Sequence, residues 1–180
     1  EGKHPAQKSL IKEELIAHML CAGILKNELE GRTGPSMGNE SEEENRFLDT
    51  LPFDLTNAQK RSWEQIRNDL TDVKPMRRLL QGDVGSGKTL IAALSALHAY
   101  SNKWQTALLC PTEILAEQHF NSFQAWFNEL GLKTELLTGS TKAKERKLIV
   151  KELSLGEIDI LIGTHAIFQS GVEFKSLGLT

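Results

Sequence analysis

The segment Gly82-Asp83-Val84-Gly85-Ser86-Gly87-Lys88-Thr89 satisfies the spacing G-x-x-x-x-G-K-[ST]. Glycines admit positive φ, so successive backbone N–H groups turn toward one point and form an anion nest, completed by the amino end of a following helix. Lysine at position 88 places an ammonium where the β and γ phosphates of a nucleotide would lie. The Thr89 hydroxyl can complete part of a magnesium shell. A glycine-rich turn without a ligand would require neither the lysine nor the hydroxyl. The pattern therefore implies a nucleotide with its Mg2+ as ligand, in common with kinases, transporters, GTPases and DNA motors, with Gly82, Asp83, Val84, Gly85, Ser86, Gly87, Lys88 and Thr89 as the cradle. Lys88 is the candidate catalytic cation and Thr89 the candidate metal ligand.

Other polar residues are placed where a strand meets a helix or a turn. Gln59 carries an amide whose donor and acceptor could pair with the Hoogsteen edge of adenine, and Phe53 could stack near the base. Taken alone, Gln59 reads as an exposed helix residue and Phe53 as core. Pro111-Thr112 precedes a helical pattern, so Thr112 suits an N-cap and also a phosphate contact, two compatible roles. Thr138-Gly139-Ser140 and Gly163-Thr164-His165 each follow a strand-like run and offer small and hydroxyl residues for a backbone track or an ordinary turn. His4, His18 and His98 have no metal-ligand spacing and read as surface or helix-packing residues. Glu42-Glu43-Glu44 reads as a solvated run.

These residues need elements to hold them. Apolar spacing predicts an amphipathic helix over Ser9 to Leu29 and a second over Ala58 to Leu70, capped by Thr56 with Trp63, Ile66 and Leu70 on one face. The pattern then alternates. A strand-like run at Met76 to Gln81 leads to a helix from Lys88 to about Tyr100, a strand at Thr106 to Cys110 and a helix at Glu113 to Leu130. Thr134 to Leu137 is a strand, Lys142 to Leu155 a charged-faced helix and Ile158 to Ile162 a buried strand. Strict alternation predicts an α/β fold with a mainly parallel sheet covered on both faces, and ligands at the carboxyl ends of its strands. Gly31 to Arg46 holds almost no large apolar side chain and is expected to be a flexible linker.

At 180 residues the chain fits one domain with a flanking segment. Cys21 and Cys110, without a CxxC pair or secretory h-region, suggest neither a disulfide framework nor a zinc cluster, and fit a reducing cytoplasm. No apolar run approaches the roughly 20 residues that span a bilayer, so no membrane partner is expected. A formal charge of −3 does not favour nucleic acid, so any such contact must come from local groups.

Read together, LPFDLTNAQ (51–59), PMRRLLQGDVGSGKT (75–89), CPTEILAEQHF (110–120), LLTGS (136–140) and IGTHAIFQ (162–169) resemble the RecG family, branched-DNA helicases of superfamily 2. Glu13 to His18 also resembles the helix that precedes the motor in that family. The resemblance implies a helical segment over 1–30, a linker over 31–46, and over 47–180 a first RecA-like P-loop domain. It implies ATP binding by Phe53, Gln59 and the 82–89 loop, and DNA contact at Thr112, Gly139 and Thr164, of which Thr164 is the strongest. Double-stranded or branched DNA is then the partner and fork or junction remodelling in repair and recombination the activity. In that family Leu177-Gly178-Leu179 enters a strand ending in a DExH box, and this sequence stops at Thr180. The stretch present is therefore expected to bind nucleotide weakly and to hydrolyse ATP negligibly by itself. The transcription-repair coupling factor shares the GDVG-x-GKT loop and is the nearest alternative; a P-loop ATPase unrelated to DNA, or a non-catalytic nucleotide-binding module, is the alternative of another class.

Overall fold

The computed structural model describes residues 11–17, 19–21, 23, 33–38 and 41–180. Residues 11–17, 19–21 and 23 are helical, with Ile11, Leu15, Ile16, Met19 and Leu20 exposed. The remainder of the helix expected over Ser9 to Leu29, like His4 and His18, lies outside the described residues.

The expected linker is a correction. Of its span, residues 33–38 pack along the next helices: Gly34 N donates to Val73 O at 2.7 Å, Met37 N to Leu70 O at 2.9 Å, and Met37 is buried. Helix α1 (Glu42–Thr50) then begins inside it. Ser41 Oγ accepts from Glu44 N at 3.2 Å, and Glu42, Glu43 and Glu44 line the first turn, where carboxylates complement the helix dipole. Composition averaged over 16 residues hides what one of them, Met37, and the residue that follows the span, Phe47, accomplish. Met37 and the fully buried Phe47, the latter against Phe127 and Trp126, supply the apolar area that the average lacks.

Helix α2 (Asn57–Thr71) starts at Thr56 and buries Trp63, Ile66 and Leu70, as their spacing predicts. Helix α3 (Lys88–Ser101) is buried along nearly its whole length, its Ala93, Ala96 and Ala99 allowing close approach of neighbours. Strand β1 (Gln105–Leu109), helix α4 (Glu113–Phe127), a 3-10 turn (Asn128–Leu130), strand β2 (Thr134–Leu137), helix α5 (Ala143–Leu155) and strand β3 (Ile160–Gly163) follow. Strand β4 (Leu177–Leu179) comes after a second 3-10 turn (His165–Phe168). Gly131 and Gly156 end their helical segments at φ of 78° and 76°, a region open to glycine without strain.

The sheet runs β2-β3-β1-β4 and every pairing is parallel. β3 is its buried centre and follows the strand period of two. Ile160 and Ile162 join the larger core with α1 to α4, while Leu161 faces Ile149, Leu153 and Ile167 on the α5 side. Each such side chain stabilises by about 1.5–3 kcal/mol relative to exposure. Gln105 ties three elements together: its Nε2 donates to Leu153 O and Ile158 O at 3.0 and 2.7 Å, and its Oε1 accepts from Ser176 N at 2.8 Å.

The strand expected at Met76 to Gln81 does not form. Met76 and Leu80 lean on the core, but the run has no ladder partner among the described residues. A strand exists only against a neighbour. The free edge of β1 is taken by β4 opposite Gln105 and Thr106, and not beyond.

Candidate nucleotide and nucleic-acid site

The loop from Gly82 to Gly87 connects the irregular run at 76–81 to α3. Gly85 and Gly87 sit at φ of 80° and 85°, where a β-carbon would be strained. Gly87 is the N-cap of α3 and offers no side-chain cap. Threonine caps α2 and α4 instead, each accepting from a first-turn N–H. Leu90 N and Ile91 N donate to Gly87 O at 3.0 and 3.2 Å, while the N–H groups of Lys88 and Thr89 have no partner among the described residues and remain available to an external anion, at the positive end of a 14-residue helix.

Lys88 is folded back over the loop: its Nζ donates to Gly82 O and to Asp83 O, both at 2.7 Å. That holds the ammonium beside the anion nest with neutral partners that a phosphate can outcompete, since hydrogen bonds between charged groups are roughly twice as strong. Thr89 stands next to it, half-buried in the first turn.

Gln59 reaches this loop from α2. It completes a capping box, with Oε1 accepting from Thr56 N at 2.8 Å and its own N donating to Thr56 Oγ1 at 3.3 Å. Its Nε2 donates to Ser86 O at 3.0 Å. A β-carbon on Gly87 would collide with Gln59 Nε2, so glycine there serves this close approach as well as the backbone angle. The amide keeps one lone pair and one hydrogen, the acceptor and donor that the N6 and N7 edge of adenine requires. Phe53 is 54% exposed just before α2, rather than part of the core.

The helix carrying Lys88 is gripped from behind. His98 of α3 is fully buried; its Nδ1 meets Glu44 Oε1 of α1 at 2.5 Å and its ring stacks edge-on to Trp63 of α2 at 5.7 Å. His98 is thus a packing residue.

The carboxyl ends of β1, β2 and β3 form a second cluster. Cys110 N donates to Gly163 O at 2.7 Å and Thr164 N to Leu137 O at 3.3 Å, which brings the 110–112, 138–140 and 163–165 loops side by side. A β-carbon on Gly163 would strike Leu137 O. Thr112 Oγ1 caps α4 by accepting from Leu115 N at 3.3 Å, and Thr112 is exposed. Gly139 is exposed at the tip of a turn in which Thr138 N donates to Thr141 Oγ1 at 3.0 Å. Thr164 is 4% exposed and its Oγ1 has no partner, so a phosphate can meet that hydroxyl only if the turn moves; His165 is the exposed residue there. Burial pushes the Cys110 thiol up, away from thiolate chemistry.

Glu113 is the residue that sequence reasoning missed. Its Oε1 accepts from Ser140 N at 3.1 Å and its Oε2 from Ser140 Oγ at 2.8 Å, clamping the Thr138–Thr141 turn onto the start of α4. The Ser140 hydroxyl, with help from backbone N–H groups, holds the Glu113 carboxyl below its ordinary value. Following an N-cap threonine, Glu113 reads as a helix-dipole residue; nothing in the sequence ties it to a partner 27 positions away.

Comparison with known proteins agrees with this geometry. The sequence model of the DEAD/DEAH box helicase family matches residues 56–180. The ATP-dependent DNA helicase RecG of Haemophilus influenzae is 48% identical over 99% of this chain and 26% of its own length. That of Thermotoga maritima is 44% identical over 97% of this chain and 22% of its own. The chain spans about a quarter of the length of the curated relatives it matches. A structure of RecG bound to a three-way DNA junction superposes with a TM-score of 0.85 at 44% identity, covering 93% of this chain and 23% of that one. The DNA-bound helicase MrfA shares the fold alone, with a TM-score of 0.61 at 19% identity.

Proposed function

Because the chain belongs to the DEAD/DEAH box helicase family, we propose that it is the ATP-binding portion of a RecG-like helicase that couples ATP hydrolysis to movement on double-stranded DNA and remodels forks and junctions. The packed residues 33–38 and 41–180 belong to the first of two motor domains in this reading. The 82–89 loop takes the triphosphate, Lys88 exchanges the Gly82 and Asp83 carbonyls for β and γ phosphate oxygens, and Gln59 pairs with adenine while Phe53 covers the base. Thr89 would supply one ligand to Mg2+, which when bound neutralises phosphate charge. The exposed Thr112 and Gly139 meet the DNA backbone along the carboxyl edge of the sheet, with Thr164 buried behind them, and the likeness to RecG bound to a three-way DNA junction supports branched DNA as the substrate. A cytoplasmic setting suits such a protein.

The observation that carries the reading is the uncapped, glycine-led start of α3 with Lys88 and Gln59 both hooked to the same loop. Titration of the chain with a fluorescent ATP analogue and Mg2+ tests it. Saturable binding, displaced by ATP and not by GTP, is expected, with Gln59→Ala erasing the preference for adenine. Absence of saturable binding, or equal displacement by GTP, contradicts it.

A further inference from the structure

Helix α5 begins immediately after the Thr138–Thr141 turn and buries Ile149 and Leu153 against the sheet. Its outer side carries Lys144, Lys147, Leu148 and Lys151, spaced to form one stripe, with Lys142 at the N-cap joining its upper end. These residues and Glu145 line a shallow concavity. All four lysines are exposed, and none makes an ion pair among the described residues. The contrast with other cations is informative. Lys133 is bound to Glu152 at 2.9 Å, Arg78 to Asp69 at 2.7 Å, and Lys88 to two carbonyls. Glu152, the other acid of this helix, is thereby withdrawn, leaving Glu145 as the one carboxylate in the concavity. Leu148, 55% exposed, forms an apolar floor between the ammonium groups.

We infer that this face of α5 is a second phosphate track, which carries duplex DNA onward from the loop edge at Thr112, Gly139 and Thr164. The inference rests on the DNA-motor reading and extends it to residues outside the loops. From Lys144 to Lys151 the helix advances about 10 Å at 1.5 Å per residue, close to three base-pair steps of about 3.4 Å along one strand. Lys142 sits at the end nearest the Gly139 turn, so the stripe is continuous with that edge. In a chain of net charge −3, the four lysines of this strip concentrate positive charge locally beside a single carboxylate. Flexible lysines on aliphatic stems suit a partner gripped by charge and indifferent to base sequence.

The test is a fluorescence-anisotropy titration of a labelled duplex with the chain at several salt concentrations, for the wild type, K144Q/K147Q/K151Q, Thr112→Val and, as a control on another face, Lys74→Gln. Circular dichroism checks that each variant is folded. The triple variant is expected to bind about 10-fold or more weakly, and its slope of log K against log salt to fall by about 2–3, since each phosphate contact contributes about 0.9. Lys74→Gln should match the wild type. If the triple variant keeps the wild-type affinity and slope while Thr112→Val weakens binding, the α5 track is wrong and the DNA reading stands. If the wild-type chain does not bind duplex at all, the DNA reading fails and the track with it. Competition by polyglutamate as effective as by unlabelled duplex would make this a protein-docking face and overturn the proposal.

Discussion

The phosphate loop and the carboxyl-edge loops differ in how they are held. Residues 81–86 are exposed and restrained by long side chains reaching in, Lys88 to Gly82 and Asp83 and Gln59 to Ser86. The edge loops are fastened to each other: Cys110 to Gly163, Thr164 to Leu137, Glu113 to Ser140, with Thr138 and Thr164 buried. The first arrangement leaves its partners exchangeable, as the proposed nucleotide site requires. The second keeps its shape, as suits a track that positions a polymer backbone. The proposed motor role calls for both properties, a site that responds to nucleotide and a surface that transmits the response.

The contrast can be broken most strongly at Lys88. Lys88→Ala removes the ammonium and should weaken ATP binding about 10- to 100-fold, as for loss of a charged hydrogen bond worth about 1.5–3 kcal/mol; isothermal titration with ATP checks this, and its thermal stability should scarcely change because the side chain bonds only to exposed loop carbonyls. Gly87→Ala is expected to cost about 1–2 kcal/mol of stability for its left-handed backbone, and more nucleotide affinity than that, since the new carbon displaces Gln59. Chemical denaturation and the same titration separate the two effects.

On the track side, Thr112→Ala loses the cap of α4 and should destabilise by about 1 kcal/mol, read as a lowered denaturation midpoint, with nucleotide affinity retained. Glu113→Gln gives the smallest and most diagnostic effect. Folding lowers this carboxyl below its ordinary value, so its stabilisation is fully present above the ordinary glutamate range and is lost as pH falls through the lowered folded value. Hydrogen exchange at Ser140 N–H should therefore show protection that declines with acid in the wild type, beyond the ordinary exchange-rate dependence, and not in Glu113→Gln.

What the sequence discloses follows the same division. The glycine geometry of the 82–89 loop, the face of α2 and the parallel alternation were readable because local spacing and backbone preference determine them. Gln59, which reaches Ser86 from 27 positions away, was singled out only through the family resemblance. Glu113, the His98–Glu44 contact and the packing of Met37 depend on residues brought together from 27 to 54 positions away or on single side chains in polar surroundings, and leave no local pattern. The run at 76–81 looked like a strand because Met76, Leu79 and Leu80 are apolar and precede the glycine-rich loop, whereas a strand is defined by a neighbour that no local pattern reveals. Thr164 shows the limit of carrying a family role onto one residue, for its hydroxyl faces inward here.

The most direct test of an exchangeable nucleotide loop beside a fixed track is a backbone and side-chain amide NMR titration of this chain with ATP and Mg2+. Large shifts at Gly85 through Thr89 and at the Gln59 side-chain amide, with Thr138 through Ser140 nearly still, are the predicted result. Shifts confined to other regions, or a loop from 82 to 89 that does not respond at saturating ATP, would contradict the account.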